Sequence, residues 1–149
     1  MGNSALVSVP GASEQKAALA RKLGIGPGMS VTLLHGPDDA TALLEDLPDV
    51  TIHRGLRSGR KTDMLIGFVA ERAHLERNID RLIGALGPQG VLWIAWPKRS
   101  SGVPSDMSDE VIREVVLPTG WVDVKVCAVD ATWSGLKFVL RKALRPSTQ

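Results

Sequence analysis

Apolar positions in this chain fall into two kinds of stretch: short runs that are apolar almost without a break, and longer ones with helical spacing. Helical spacing first appears after Ser13-Glu14, where Ser13 suits an N-cap and Ala17, Ala18, Leu19 and Leu23 form the apolar side. Gly24-Ile25-Gly26-Pro27-Gly28 stops this helix, because Gly and Pro do not sustain its backbone ladder. The run 30–35 then predicts a buried strand ending at Gly36-Pro37. Asp38 and Asp39 cap a second predicted helix carrying Leu43, Leu44 and Leu47, and 50–53 reads as a short strand.

The second half repeats the alternation more plainly. Residues 64–69 are nearly all apolar, as befits a strand covered on both faces. Leu75, Ile79, Leu82 and Leu86 then mark one face of a helix, closed by Gly87-Pro88-Gln89-Gly90. Residues 91–96 form another buried strand. After the 97–106 loop, Ser108 caps a helix with Asp109 and Glu110 in its first turn, where carboxylates suit the positive dipole end. Two last strands, 122–129 and 134–142, meet at the tight turn Asp130-Ala131-Thr132, which requires an antiparallel pair.

Strand–helix alternation followed by a terminal hairpin predicts an α/β fold. Its open sheet is parallel except for an antiparallel C-terminal strand. This ending resembles the methyltransferase-like variant of the Rossmann architecture, in which the last strand inserts between its predecessor and the rest of the sheet. Leu86-Gly87-Pro88-Gln89-Gly90-Val91-Leu92-Trp93-Ile94 is similar to the L-x-P-G-G-x-L-x-I lead into the fifth strand of that superfamily. The domain is expected over 13–142, with flexible ends at 1–12 and 143–149.

Composition narrows the possibilities. A chain of 149 residues, 44% of them apolar, suits one self-sufficient domain. Eighteen Lys+Arg against sixteen Asp+Glu gives a net charge of +2, too near neutral for a dedicated nucleic-acid surface. The densest basic run, 54–61, is broken by Gly and Ser and reads as a solvated loop. A lone Cys127 forms no internal disulfide and supplies no zinc-ligand set, so no metal site is expected. It reads as a small buried apolar residue. No apolar run reaches membrane-span length, and Met1 to Pro10 lacks the features of a signal peptide, so a cytoplasmic location is expected.

A second resemblance rests on the C-terminal half. Trp96-Pro97-Lys98, Ser101-Gly102-Val103, the 122–130 run VDVKVCAVD, and Trp133-Ser134-Gly135-Leu136-Lys137-Phe138-Val139 with Arg141 resemble the hallmarks of a bacterial family of domains of unknown function. That likeness implies membership without an activity. The methyltransferase resemblance implies S-adenosylmethionine, which needs a Gly-rich first strand–helix turn and a carboxylate after the second strand. Here the turn is His35-Gly36-Pro37-Asp38-Asp39, with one Gly, a Pro lacking its N–H and two acids, and Ile52-His53-Arg54 brings no acid. The cofactor is therefore possible but disfavoured on sequence grounds.

Ligands of open α/β sheets bind outside the carboxyl ends of the strands. The expected edge gathers His35, Arg72, Trp96, Lys98, Ser101, Asp130, Trp133 and Ser134. Indole faces beside cations suit a small anionic or nucleotide-like ligand. Trp96 and Trp133 equally suit closure of the sheet edge, and Asp130 equally suits its own turn. Trp93 and Trp121 read as packing. On the last two strands Asp123, Lys125, Lys137 and Arg141 form a charge network. One register sets Lys125 opposite Lys137, which calls for Asp123 or a bound anion as counter-charge. The expected function is a non-catalytic ligand-binding or regulatory module; the alternatives are a divergent S-adenosylmethionine-dependent methyltransferase and a protein-interaction scaffold. Self-association is compatible with each.

Overall fold

The computed structural model describes residues 12–145, so the expectations for the two chain ends lie largely outside the described residues. Its elements are α1 (Ala12–Leu23), β1 (Ser30–Leu34), α2 (Asp38–Ala42), β2 (Thr51–His53), β3 (Thr62–Phe68), α3 (Arg72–Gly84), β4 (Leu86–Pro97), α4 (Asp109–Val116), β5 (Trp121–Ala128) and β6 (Trp133–Leu140). They build one six-stranded sheet of order β2-β1-β3-β4-β6-β5. The pairs β1–β2, β1–β3 and β3–β4 are parallel, and β6 runs antiparallel between β4 and β5, as the hairpin requires.

Both sheet faces are covered, which is why the central strands carry unbroken apolar runs. Val31, Leu33, Met64, Ile66, Phe68 and Trp93 face α1 and α2, with Leu19, Leu23 and Leu44. Leu34, Leu65, Leu92, Ile94, Leu136 and Phe138 face α3 and α4, where Leu75, Ile79, Leu82, Ile112 and Val116 lie. Ser108 caps α4 as expected, its hydroxyl accepting from the Val111 N–H at 3.2 Å.

Three local expectations change. Helix α1 already includes Ser13, so it begins before the expected cap. Helix α2 is only five residues long with Pro37 at its N-cap, yet Leu44 beyond it is fully buried; burial of that leucine does not require the helix to continue. The strand before Trp93 starts at Leu86, and the register jumps from Thr62↔Leu86 to Met64↔Val91. The Gly87–Gly90 stretch is thus a bulge within β4 and not a separate loop. Gly90 sits so close to Leu86 that an added Cβ would stand 3.0 Å from its side chain.

The link between β2 and β3 positions the site. Parallel strands usually connect through a helix, but here residues 54–61 pass over the α3 side of β1 without one. About ten residues from His53 to Thr62 reach roughly 30 Å when nearly extended. That length is only slightly more than a seven-residue strand of about 23 Å demands. The strap is therefore thin, with only Leu56 packed onto the core on this side, and cavities open along it.

Candidate functional site

Strand β1 goes to β2 on one side and the chain then returns to β3 on the other, so the sheet reverses direction at the carboxyl ends of β1 and β3. Open α/β sheets form their ligand crevice at such a reversal. Two cavities lie there, astride the end of β1. One, of about 220 Å³, lies on the α3 side between His35, Leu56, Val69, His74 and Asn78. The other, of about 230 Å³, touches Leu33, Gly36, Thr41 and Arg54. His35 and Gly55 border both.

The turn after β1 is tight. His35 itself takes the left-handed conformation, φ 58°, that a glycine usually fills. Gly36 packs so closely that an added Cβ would stand 2.4 Å from the Thr41 methyl and 3.2 Å from the Phe68 ring. Across the first cavity, the His35 and His74 rings meet edge to face with centroids 4.8 Å apart. Burial pushes the His74 imidazole below its ordinary pKa, and the charges of His35 and Arg77 add to this against the opposing Glu71. At the end of β2, Arg54 forms an ion pair with Glu45.

The other predicted site residues lie further along the edge. The Lys98 ammonium donates to the Asp130 carbonyl at 2.9 Å, and its backbone N–H donates to the Thr132 carbonyl. The Asp130 carboxylate accepts from the N–H groups of Thr132 and Trp133, both at 2.8 Å. The Ser101 hydroxyl donates to the Lys98 carbonyl at 2.6 Å. These bonds fasten the 97–106 loop to the β5–β6 turn. Trp133 packs edge-on against Phe68, 5.2 Å between centroids, on the α1 side. Trp96 packs into the α3–α4 core on the opposite face, and Ser134 pairs with it across β4 and β6. The two indoles therefore do not share a face. Arg72 spends its guanidinium on Glu76 and Glu114, at 3.0 and 2.6 Å.

The charge network divides. Lys125 does stand opposite Lys137, but a bulge at Val124 turns Asp123 to the other face, where it accepts from Arg113 at 2.9 Å. Arg113 also pairs with Asp109, holding that carboxyl below its usual range. The Lys125 ammonium instead donates to the Lys22 carbonyl at the end of α1, a helix terminus that favours cations. Arg141 lies beyond β6, its N–H bonded to the Gly120 carbonyl. Cys127 is half-buried, and burial pushes its thiol up, against the charges of Lys22 and Lys125. Among the described residues no group of His, Cys, Asp or Glu is arranged to hold a metal, and no helix is long and apolar enough to cross a membrane.

Sequence reasoning missed His74, Leu56 and Asn78. His74 lies two residues into a helix that begins at the predicted edge residue Arg72; its place in the first turn after that edge was the available signal.

No family model matches this chain, and no curated protein matches its sequence. Solved structures do share its fold. Aeropyrum pernix fibrillarin, described with natively bound S-adenosyl-L-methionine, is 15% identical with a TM-score of 0.57, over 86% of this chain and 76% of that one. A SAM-dependent methyltransferase from Aquifex aeolicus is 13% identical with a TM-score of 0.58, over 89% of this chain and 94% of its own. Magnesium protoporphyrin IX methyltransferase from Synechocystis, described with bound SAH, is 11% identical with a TM-score of 0.59, over 87% of this chain and 81% of its own. The fold is thus the methyltransferase-like Rossmann type. The expectation that the first turn disfavours S-adenosylmethionine is corrected by these neighbours, several of which carry that molecule or its demethylated product. In the turn itself, His35 holds the left-handed position and Gly36 makes the close approach, so a single glycine serves this turn.

Proposed function

We propose that this chain is a divergent methyltransferase that binds S-adenosylmethionine in the cleft around His35, Gly36 and Gly55. The observation that carries this reading is the position of the two cavities, at the reversal point of a sheet shared with S-adenosylmethionine-dependent enzymes. Part of the lining suits the molecule, although no carboxylate follows β2 or lines either cavity to take its ribose hydroxyls. Leu56 and Val69 give the cleft apolar walls for a flat base, and Gly36 and Gly55 bring backbone to its border with no side chain. Arg54, paired with Glu45, keeps further guanidinium N–H donors at the second cavity, suited to the amino-acid carboxylate. When bound, S-adenosylmethionine supplies an electrophilic methyl group on a sulfonium centre. His74, biased toward its neutral form, keeps a further positive charge away from such a cation. A non-catalytic module has less behind it, because two of the neighbours named above are methyltransferases by their own description.

Thermal denaturation and calorimetric titration with S-adenosylmethionine and S-adenosylhomocysteine test the reading. Both ligands are expected to raise the midpoint, with about 2.7 kcal/mol of added stability at 100 times Kd. A flat response to both refutes it.

The depressed His74 also makes stability depend on pH. The unfolded chain binds this proton at about pH 6.5, and the folded chain only at lower pH. Stability from this group is therefore complete above about pH 6.5 and is lost as pH falls through the folded value. His74→Gln is expected to flatten the fall in urea-denaturation free energy between about pH 7.5 and 5.5. Equal slopes for the two proteins exclude the effect.

A further inference from the structure

The basic strap, read from sequence as solvated, closes on α3 to form a pocket that neither the methyl-transfer reading nor any similarity assigns. It measures about 320 Å³ and lies at the amino end of the sheet. It adjoins the proposed cofactor cleft, since Leu56 and Arg81 line both cavities, but residues 57–61 border this one and not the cleft. Arg57, Arg60 and Lys61 of the strap and Arg81 of α3 line this pocket, with the Ser58 hydroxyl and no carboxylate.

Four cations converging without an acid repel one another, and such an arrangement favours an anion. Part of their charge is already used. The Arg60 guanidinium donates to the Gly55 carbonyl at 2.5 Å, and the Lys61 ammonium to the Gly84 carbonyl at the end of α3, at 2.7 Å. These contacts orient the two side chains and leave spare donors, since guanidinium has five N–H groups and ammonium three. Among the described residues, the Arg81 guanidinium reaches only the Asn78 amide oxygen, at 3.4 Å. No hydrogen bond or ion pair engages the Arg57 guanidinium among the described residues.

We propose that this pocket is a binding site for a phosphoryl-bearing anion, with Arg57 as its unengaged fork, Arg81 beside it with donors to spare, and Arg60 and Lys61 as pre-oriented donors. Planar guanidinium groups match phosphate oxygens in paired hydrogen bonds, and three tetrahedral oxygens accept from several donors at once. A phosphorylated small molecule fits a pocket of this volume; a nucleic-acid backbone needs cations spread along a track, whereas these are gathered around one cavity.

The test uses the full chain and inorganic pyrophosphate as probe, by calorimetric titration at low salt, with the circular-dichroism spectrum of each variant as a folding check. Saturable binding at one site is expected. Arg57→Gln should weaken it about tenfold, and Arg57→Glu should abolish it. Arg99→Gln, an exposed cation on another loop, should leave it unchanged. S-adenosylmethionine binding should survive in Arg57→Gln, so that failure of the anion site and failure of the methyl-transfer reading are told apart. Absence of saturable binding overturns the proposal, as do equal losses in Arg57→Gln and Arg99→Gln. Tighter binding of a short single-stranded RNA, weakened alike by both variants, also overturns it, in favour of a diffuse nucleic-acid surface.

Discussion

Replacing Trp93 with alanine is expected to destabilise the fold by about 3–5 kcal/mol, the usual range for a large buried aromatic. Trp93 is fully buried at the middle of β4, and its ring does two jobs. Its face lies against Gly135 on β6, where an added Cβ would stand 3.0 Å from the ring, so the neighbouring strand has been kept bare to admit it. Its Nε1–H donates to the Leu23 carbonyl at 3.0 Å, satisfying a backbone oxygen at the end of α1. Alanine leaves both a cavity and a buried carbonyl without its donor, the latter worth about 1–3 kcal/mol alone. Trp93→Phe separates the two contributions: it retains most of the volume and loses the hydrogen bond, so it should cost less than half as much as alanine. Urea denaturation measures both as a lower midpoint at unchanged slope. Equal losses for Phe and Ala would refute the volume argument.

The same residue shows what kind of information the sequence carries. A strand buried on both faces announces itself as an apolar run, and β3 and β4 were legible for that reason. The terminal hairpin was legible because a short turn permits only antiparallel pairing, and even the Lys125–Lys137 register followed from alternation. Alternation then failed one residue away. The bulge at Val124 changes which face Asp123 occupies, and no composition signal marks it, since Val is as ordinary at a bulge as in a regular strand. The counter-charge for Lys125 is likewise a backbone carbonyl of Lys22, which sequence reading cannot see because every residue has one.

The site divides along similar lines. His35 was read as an edge residue because it ends the first predicted strand, and the structure puts that strand end at the reversal point. Lys98, Ser101, Asp130 and Trp133 lie on two loops, and the Lys98 ammonium, the Ser101 hydroxyl, the Asp130 carboxylate and the Trp133 N–H are engaged in holding those loops. His74, Leu56 and the cation cluster around Arg57 arise from the helix-free path of residues 54–61. That path depends on where β2 and β3 sit in the sheet, and strand order across the sheet is a long-range property that a local pattern does not encode.

Substituting Gly36 is expected to have the largest effect on the proposed cofactor cleft. A methyl group on this residue meets the Thr41 Cγ2 at 2.4 Å and the Phe68 ring at 3.2 Å. Thr41 is not free to rotate away without loss: it is buried, and its hydroxyl donates toward the Pro37 and Asp38 carbonyls at 3.2 and 3.1 Å. Gly36→Ala should therefore force the turn out of place, at a cost of about 1–3 kcal/mol for overpacking. Displacing the backbone that borders both cavities should also weaken S-adenosylmethionine binding by at least about tenfold, since roughly 1.4 kcal/mol of lost contact is sufficient. Thr41→Ser removes the clashing methyl while keeping the hydroxyl. In the Gly36→Ala/Thr41→Ser double variant, stability and binding should both return toward those of Thr41→Ser alone, giving a coupling energy in a double-mutant cycle. Recovery of stability without recovery of binding would place the cofactor elsewhere than this turn. Additive losses would show that the contact with Phe68, and not Thr41, sets the limit on this position.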